Sequence, residues 1–122
     1  MVLARHATRV SWRMGNHRVL EAAELVEDRI NQLLDDRPRR LIHADQLRSS
    51  SHSIVANISE GVGRDKSGER SRAYRVARGE AEETIKHLRA NATTGRLDVK
   101  TYLSLRSTLI TISKMLDPLI DD

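Results

Sequence analysis

The sequence predicts an all-α protein, an antiparallel up-down four-helix bundle, on three observations. Apolar residues recur at alternating steps of four and three in four separate stretches, the spacing that keeps one stripe on one face of a helix. No stretch alternates with the period of two that a half-buried strand requires. The breaks between stretches are rich in Asp, Pro, Gly and Asn. A chain of 122 residues makes one domain with a single core.

The first stretch carries Val19, Ala23, Val26, Ile30 and Leu33 and breaks at Asp35–Pro38. The second carries Leu47, Ser51, Ile54 and Ile58 and breaks at Gly61–Gly68. The third carries Tyr74, Ala77, Ala81, Thr84 and Leu88, with Asp65 or Ser67 expected to cap its start, and breaks at Asn91–Asp98, which includes Gly95. The fourth is the cleanest, with Tyr102, Leu105, Leu109, Ile112, Leu116 and Leu119 after an expected cap at Asp98. Such stripes suit near-antiparallel bundle packing. Residues 15–122 are assigned to the bundle and residues 1–14 to a basic, disordered N-terminal arm. That arm has no acid and would align Arg5, Arg9 and Arg13 if helical. It reads as a groove-following arm, a frayed tail, or a segment upstream of a true start at Met14; it slightly resembles an organelle presequence but has no secretory-type apolar stretch.

Leu20, Leu34, Val55, Ile85, Leu103 and Ile110 lie beside or beyond the stripes and widen several faces. Their surplus predicts a second buried surface, most simply through self-association. With Trp12, Tyr74 and Tyr102 as the aromatic residues, core and interfaces must be aliphatic.

Residues 53–64 are the most unusual segment. Asn57 lies between Ile54 and Ile58 and is expected to face the core, where its amide needs partners. The Glu60 carboxylate and the backbone at the helix end are nearest. Gly61 and Gly63 are expected to end the helix through the left-handed conformation. The segment reads as a structural lock on a helix-to-helix connection.

Gln46, Ser53-Ile54, Asn57-Ile58 and Glu60-Gly61-Val62-Gly63-Arg64, followed by Glu69, Ala77, Gly79 and Glu83, resemble the signature of a bacterial protein family. It is the family of four-helix-bundle proteins often encoded inside intervening sequences of large-subunit ribosomal RNA genes, the S23 ribosomal proteins. The resemblance covers roughly residues 16–120. It implies a cytoplasmic, ribosome-related bundle that forms ring-like homo-oligomers, commonly pentamers. This chain departs from the family at Arg37-Pro38-Arg39-Arg40, where aromatic and acidic residues are common, and at Glu80, where serine is frequent. The architecture is also similar to the accessory proteins of diversity-generating retroelements, which implies a reverse transcriptase as an alternative, protein partner.

The formal net charge is +4, unevenly placed. Residues 64–78 hold Arg64, Lys66, Arg70, Arg72, Arg75 and Arg78 against Asp65 and Glu69, while residues 1–63 carry nine bases against eight acids and residues 79–122 six against seven. Cations at a helix start oppose its dipole by about 0.3–1 kcal/mol each, so the placement works against stability. Arg72, Arg75 and, less well aligned, Arg78 share a helical face, with Arg64 and Lys66 on the loop before it. Arg37, Arg39 and Arg40 form a second basic group on the first turn, at the opposite end of an antiparallel bundle. Arginine suits phosphate because its planar fork donates two hydrogen bonds. The charge pattern therefore reads as phosphate-directed, largely sequence-independent nucleic-acid binding, with structured RNA favoured by the resemblance. The competing reading is a solvated basic face that contacts another protein. The scarcity of aromatics argues against base-stacking platforms, and no helix-turn-helix or zinc-finger spacing stands out.

Several chemistries find no support. The absence of cysteine removes disulfides, thiolate metal sites and thiol catalysis. No apolar run approaches the roughly 20 residues of a membrane span. The Glu-x-x-His motif of di-metal bundles is missing, since Glu83 and His87 are one step too far apart. His6, His17, His43, His52 and His87 are scattered without ligand spacing, so no metal or cofactor is expected. Ser49–Ser53 surrounds His52, but neighbouring residues point about 100° apart on a helix, which defeats a Ser/His pair. Small residues that let two helices approach explain the serines. Catalytic residues are not expected.

Overall fold

The computed structural model describes the backbone of residues 2–64 and 66–120 and the side chains of residues 17–64 and 66–120. The expectations for Arg5, Arg9, Arg13 and Trp12 concern side chains outside that range. Helices α1 (Val2–Asp36), α2 (Ala44–Val62), α3 (Ser67–Thr93) and α4 (Val99–Leu116) form a four-helix bundle, and a single 3-10 turn follows at Asp117–Leu119. No strand occurs among the described residues. The second and third helix breaks fall within the expected segments, whereas the first begins in Asp35–Pro38 and runs on to the residue before Ala44.

Val19, Ala23, Val26 and Ile30 of α1, Leu47, Ile54 and Ile58 of α2, Tyr74, Ala77, Ala81 and Leu88 of α3, and Leu105, Leu109, Ile112 and Leu116 of α4 are 0–1% exposed. Leu34 enters this core at 6% exposure, while Leu33 is only partly buried. The drift of a 3.6-residue helix from a strict alternation of three and four leaves Leu33 and Leu34 on either side of the stripe by the last turn of α1, and packing buries Leu34 the more deeply of the two. Leu20, Val55 and Ile85, also counted as surplus, pack against the core edge.

Side-chain bonds connect the successive helices. Glu27 of α1 meets His52 of α2 at 2.8 Å, and Asp35 meets Arg48 at 2.6 Å. Ser50 and Thr84 share a 2.8 Å hydrogen bond between α2 and α3. Between α3 and α4, Arg78 meets Asp117 at 2.8 Å and Arg89 donates to the Tyr102 hydroxyl at 3.1 Å.

The connection after α2 differs from expectation in its mechanism. Gly63 has φ −79, a right-handed value, and Gly61 is still helical. The left-handed positions are Arg39 (φ 70), His43 (φ 58) and Gly95 (φ 73). Gly61 is required by space instead: a β-carbon there would lie 2.8 Å from Tyr74 Cζ and nearer still to Cε1. The missing side chain makes a notch for the buried tyrosine ring. Asn57 is half-buried and turns back one turn, its amide donating to Ser53 O at 2.8 Å and Ser53 Oγ at 3.0 Å. Glu60, its expected partner, pairs with Arg64 at 3.1 Å.

The buried amide is Asn91, at 0% exposure. Its Oδ1 accepts from Ile42 N at 2.7 Å, and its Nδ2 donates to Ile42 O at 3.0 Å and to His87 O at 2.8 Å. This one side chain ties the α1–α2 turn to α3. Asp98 caps α4 by accepting from Thr101 N at 3.2 Å, as expected. Ser67 is the first residue of α3 and does not cap it; Lys66 holds the cap position without a side-chain bond, and Asp65 lies outside the described residues.

Gly61→Ala should cost about 1–3 kcal/mol in chemical denaturation, as overpacked cores do. The cost should shrink in a Tyr74→Leu background, since the two residues share the strain. Burial pushes the Tyr74 phenol from 10.0 up to about 12, although the nearby Arg70 pulls it down. A folded-state value raised in this way contributes stability below pH 10.0 that is lost as pH climbs towards about 12. The stability difference between wild type and Tyr74→Phe should therefore be flat up to about pH 10 and fall above it when unfolding is followed at several alkaline pH values.

Candidate nucleic-acid interface

The basic segment begins where α2 ends and continues through the opening turns of α3. Its six cations differ in their partners, and Arg75 is among those that have one. Arg64 pairs with Glu60 one turn earlier, Arg70 Nη1 donates to Arg64 O at 3.3 Å, and Arg78 reaches Asp117 beyond α4. These three fasten the end of the bundle. Lys66, Arg72 and Arg75 are exposed. The Lys66 and Arg72 side chains make no hydrogen bond or ion pair among the described residues. Arg72 and Arg75 are three residues apart and so share the outer surface of α3. The first turn of α3 contains Glu69 as its acid. Linear charge counting finds all six residues but not their partners, because Asp117 lies 39 positions from Arg78.

The second basic group lies at the other end of α2, whose 19 residues span about 28 Å. Arg37, Arg39 and Arg40 are exposed there. Arg40 Nε donates to Arg96 O at 2.9 Å, which brings the α3–α4 turn alongside and adds Arg96 to the group. The local signal for Arg96 was its place in the Asn91–Asp98 break. Of the motif residues Glu60 pairs with a cation, Arg64, whereas Gln46 lines a groove with a cavity of about 360 Å³ between α2 and α3, together with Asp45, Ser49, Ser50, Glu80, Glu83 and His87. With three carboxylates in its lining, that groove is unsuited to phosphate.

Ser50 and Ser51 are buried, and Ser51 Oγ donates to Leu47 O at 2.7 Å. Both hydroxyls are thus used in packing. His52 pairs with Glu27 and His17 with Glu21. The histidines are less scattered than the sequence suggests, however, because the fold brings His43 and His87 together with Nδ1 atoms 3.0 Å apart. Their separation of 44 positions hides the pair from any spacing rule. Among the described residues, no group of three or more His, Asp or Glu is arranged around a metal position, and no helix is long and apolar enough to cross a membrane.

Comparison with solved structures gives a protein of unknown function from the S23 ribosomal protein family of Bacteroides thetaiotaomicron. It matches with a TM-score of 0.79 and 22% identity over 86% of this chain and 96% of its own. At that identity the match shows the fold alone. No curated protein matches the chain. The family described as 23S rRNA-intervening sequence protein matches residues 16–118, which is most of the chain and includes the whole Gln46–Arg64 motif. The chain therefore belongs to the 23S rRNA-intervening sequence protein family.

Proposed function

We propose that this protein is a non-catalytic RNA-binding bundle, built of antiparallel helices in up-down order and assembled into a ring-like homo-oligomer. Structured RNA is held by its phosphates. The observation that carries this reading is the exposure of Lys66 at the cap position of α3 and of Arg72 and Arg75 on its opening turns. A phosphate near the start of α3 is favoured by these exposed cations and by the helix dipole together. Specificity comes from shape, since the two aromatic residues among the described side chains, Tyr74 and Tyr102, are buried. Symmetry would repeat the patch around a ring and strengthen its field. Family membership favours RNA over other polyanions, and the order of cross-helix bonds supports the antiparallel arrangement.

The test is a salt titration of binding to a labelled structured RNA. Wild type is compared with Lys66→Gln/Arg72→Gln/Arg75→Gln, a variant that leaves the bonds of Arg64, Arg70 and Arg78 in place. Binding should weaken steeply with salt, and the variant should lose affinity and reduce the logarithmic slope by about one for each phosphate contact removed. No binding at low salt by a protein whose mass confirms an intact oligomer would sink the RNA reading and favour a protein partner, such as a reverse transcriptase.

A further inference from the structure

From the meeting of His43 and His87 we infer a two-histidine binding site for a borderline divalent transition-metal ion, of which zinc is the simplest probe. The inference is independent of the RNA reading and uses none of its residues.

The two Nδ1 atoms face each other at 3.0 Å, with ring centroids 5.0 Å apart and planes at 86°. Zinc–imidazole bonds are about 2.0–2.1 Å, so two such ligands with bond angles between a right angle and a tetrahedral one stand about 2.9–3.4 Å apart. The observed separation is already that of a chelating pair. The other nitrogen of His87, Nε2, lies 3.3 Å from Glu83 Oε1. A carboxylate beside Nε2 favours the tautomer that carries its proton on that nitrogen, which leaves the Nδ1 lone pair bare, the orientation that metal-binding histidines use. With His87 so fixed, His43 donates its Nδ1 proton to that lone pair when no ion is bound. On binding, the ion takes this position and the His43 proton moves to Nε2, on an exposed ring.

The backbone holds the pair before any ion arrives. Asn91 bonds both polar backbone groups of Ile42, the residue before His43, and also the carbonyl of His87. His43 adopts φ 58 and ψ 36, a left-handed conformation that a residue with a β-carbon rarely adopts, and its side chain does not cap α2. Backbone strain of this kind is a recurring mark of functional positions. It here belongs to a ring aimed across at α3. The His87 side chain is 15% exposed, so one ligand is largely desolvated while the other opens to solvent. His87 also lines the groove that holds Asp45, Glu80 and Glu83, whose charge favours a cation. Two protein ligands leave the remaining positions to water, and the bound ion would fasten the residue before α2 to the C-terminal part of α3.

Calorimetric titration with zinc alone, at about neutral pH, tests the site. A His17→Gln/His52→Gln background removes the two other described histidines. One zinc per chain should bind, with the Nδ1 resonances of His43 and His87 moving together in nitrogen-detected NMR. His43→Asn tolerates the left-handed backbone and should weaken binding by about tenfold or more, as should His87→Gln; Glu83→Gln should weaken it about tenfold through the tautomer. Unchanged affinity in the folded His43→Asn and His87→Gln variants, or no zinc binding, would overturn the inference and leave a plain histidine–histidine hydrogen bond. Should the variants fail to fold, the wild-type spectra decide: zinc that leaves either Nδ1 unmoved refutes the site.

Discussion

The close approach of α2 to α3 is the constraint on which the other features depend. It is made by removing bulk. Gly61 leaves a notch for the Tyr74 ring, Ser50 meets Thr84 through hydroxyls, and Ala73, Ala77 and Ala81 are buried along α3. At the far end Asn91 replaces a missing backbone partner for Ile42. Small side chains bury little apolar area each, so the hydrophobic stabilisation must come mainly from the leucines, isoleucines and valines of α1, α2 and α4. What the α2–α3 pair supplies is register. A one-turn slip would strand the Asn91 amide and drive a side chain of α2 into Tyr74, which makes the alignment of these two helices effectively unique.

Both proposed surfaces are consequences of that register. The α2–α3 connection places Lys66, Arg72 and Arg75 outward at one end, while the Asn91 clamp sets His43 against His87 near the other. The basic end is held by ion pairs of a kind that contributes little to stability, since Arg64 with Glu60 and Arg78 with Asp117 are both substantially exposed. Such pairs position a surface more than they stabilise a fold. Arginines that favoured stability alone would sit at the end of α3, where the dipole welcomes them and where its last turn carries no base.

The helices, their breaks and the core stripes were legible because helical periodicity is local and strong. The polar lock was misplaced for a reason visible in the same periodicity. Asn57 adjoins Ile58, but one position along a helix is about 100° around it, so an apolar neighbour does not place a residue inside. Asn91 follows Leu88 by three and continues the series Tyr74, Ala77, Ala81, Thr84, Leu88, so its burial could have been inferred. The purpose of Gly61 could not, because a glycine that ends a helix and one that makes room for a ring look alike in sequence. The same holds for Arg78 with Asp117 and His43 with His87, whose partners are set by tertiary packing.

The apolar surplus bears on assembly in a narrower way than the sequence implied. Leu34 belongs to the core, and Leu20, Val55 and Ile85 cover its edges. What stays open on α4 is Val99 at 57% and Leu103 at 51%, one turn apart, with Ile110 half-buried farther along the same side. Single exposed aliphatics are ordinary on a soluble surface, and a stable interface needs about 800 Å² from each partner. Even with Leu25, Val62 and Val76 exposed on the other helices, the described aliphatic side chains fall short of that area. A ring of the proposed kind must therefore bury polar surface as well, and the carboxylate-lined groove between α2 and α3 has the opposite sign to the arginine-rich turns at either end. Assembly and anion binding would then draw on overlapping sets of charges, so the cations needed for RNA are those that a ring leaves uncovered.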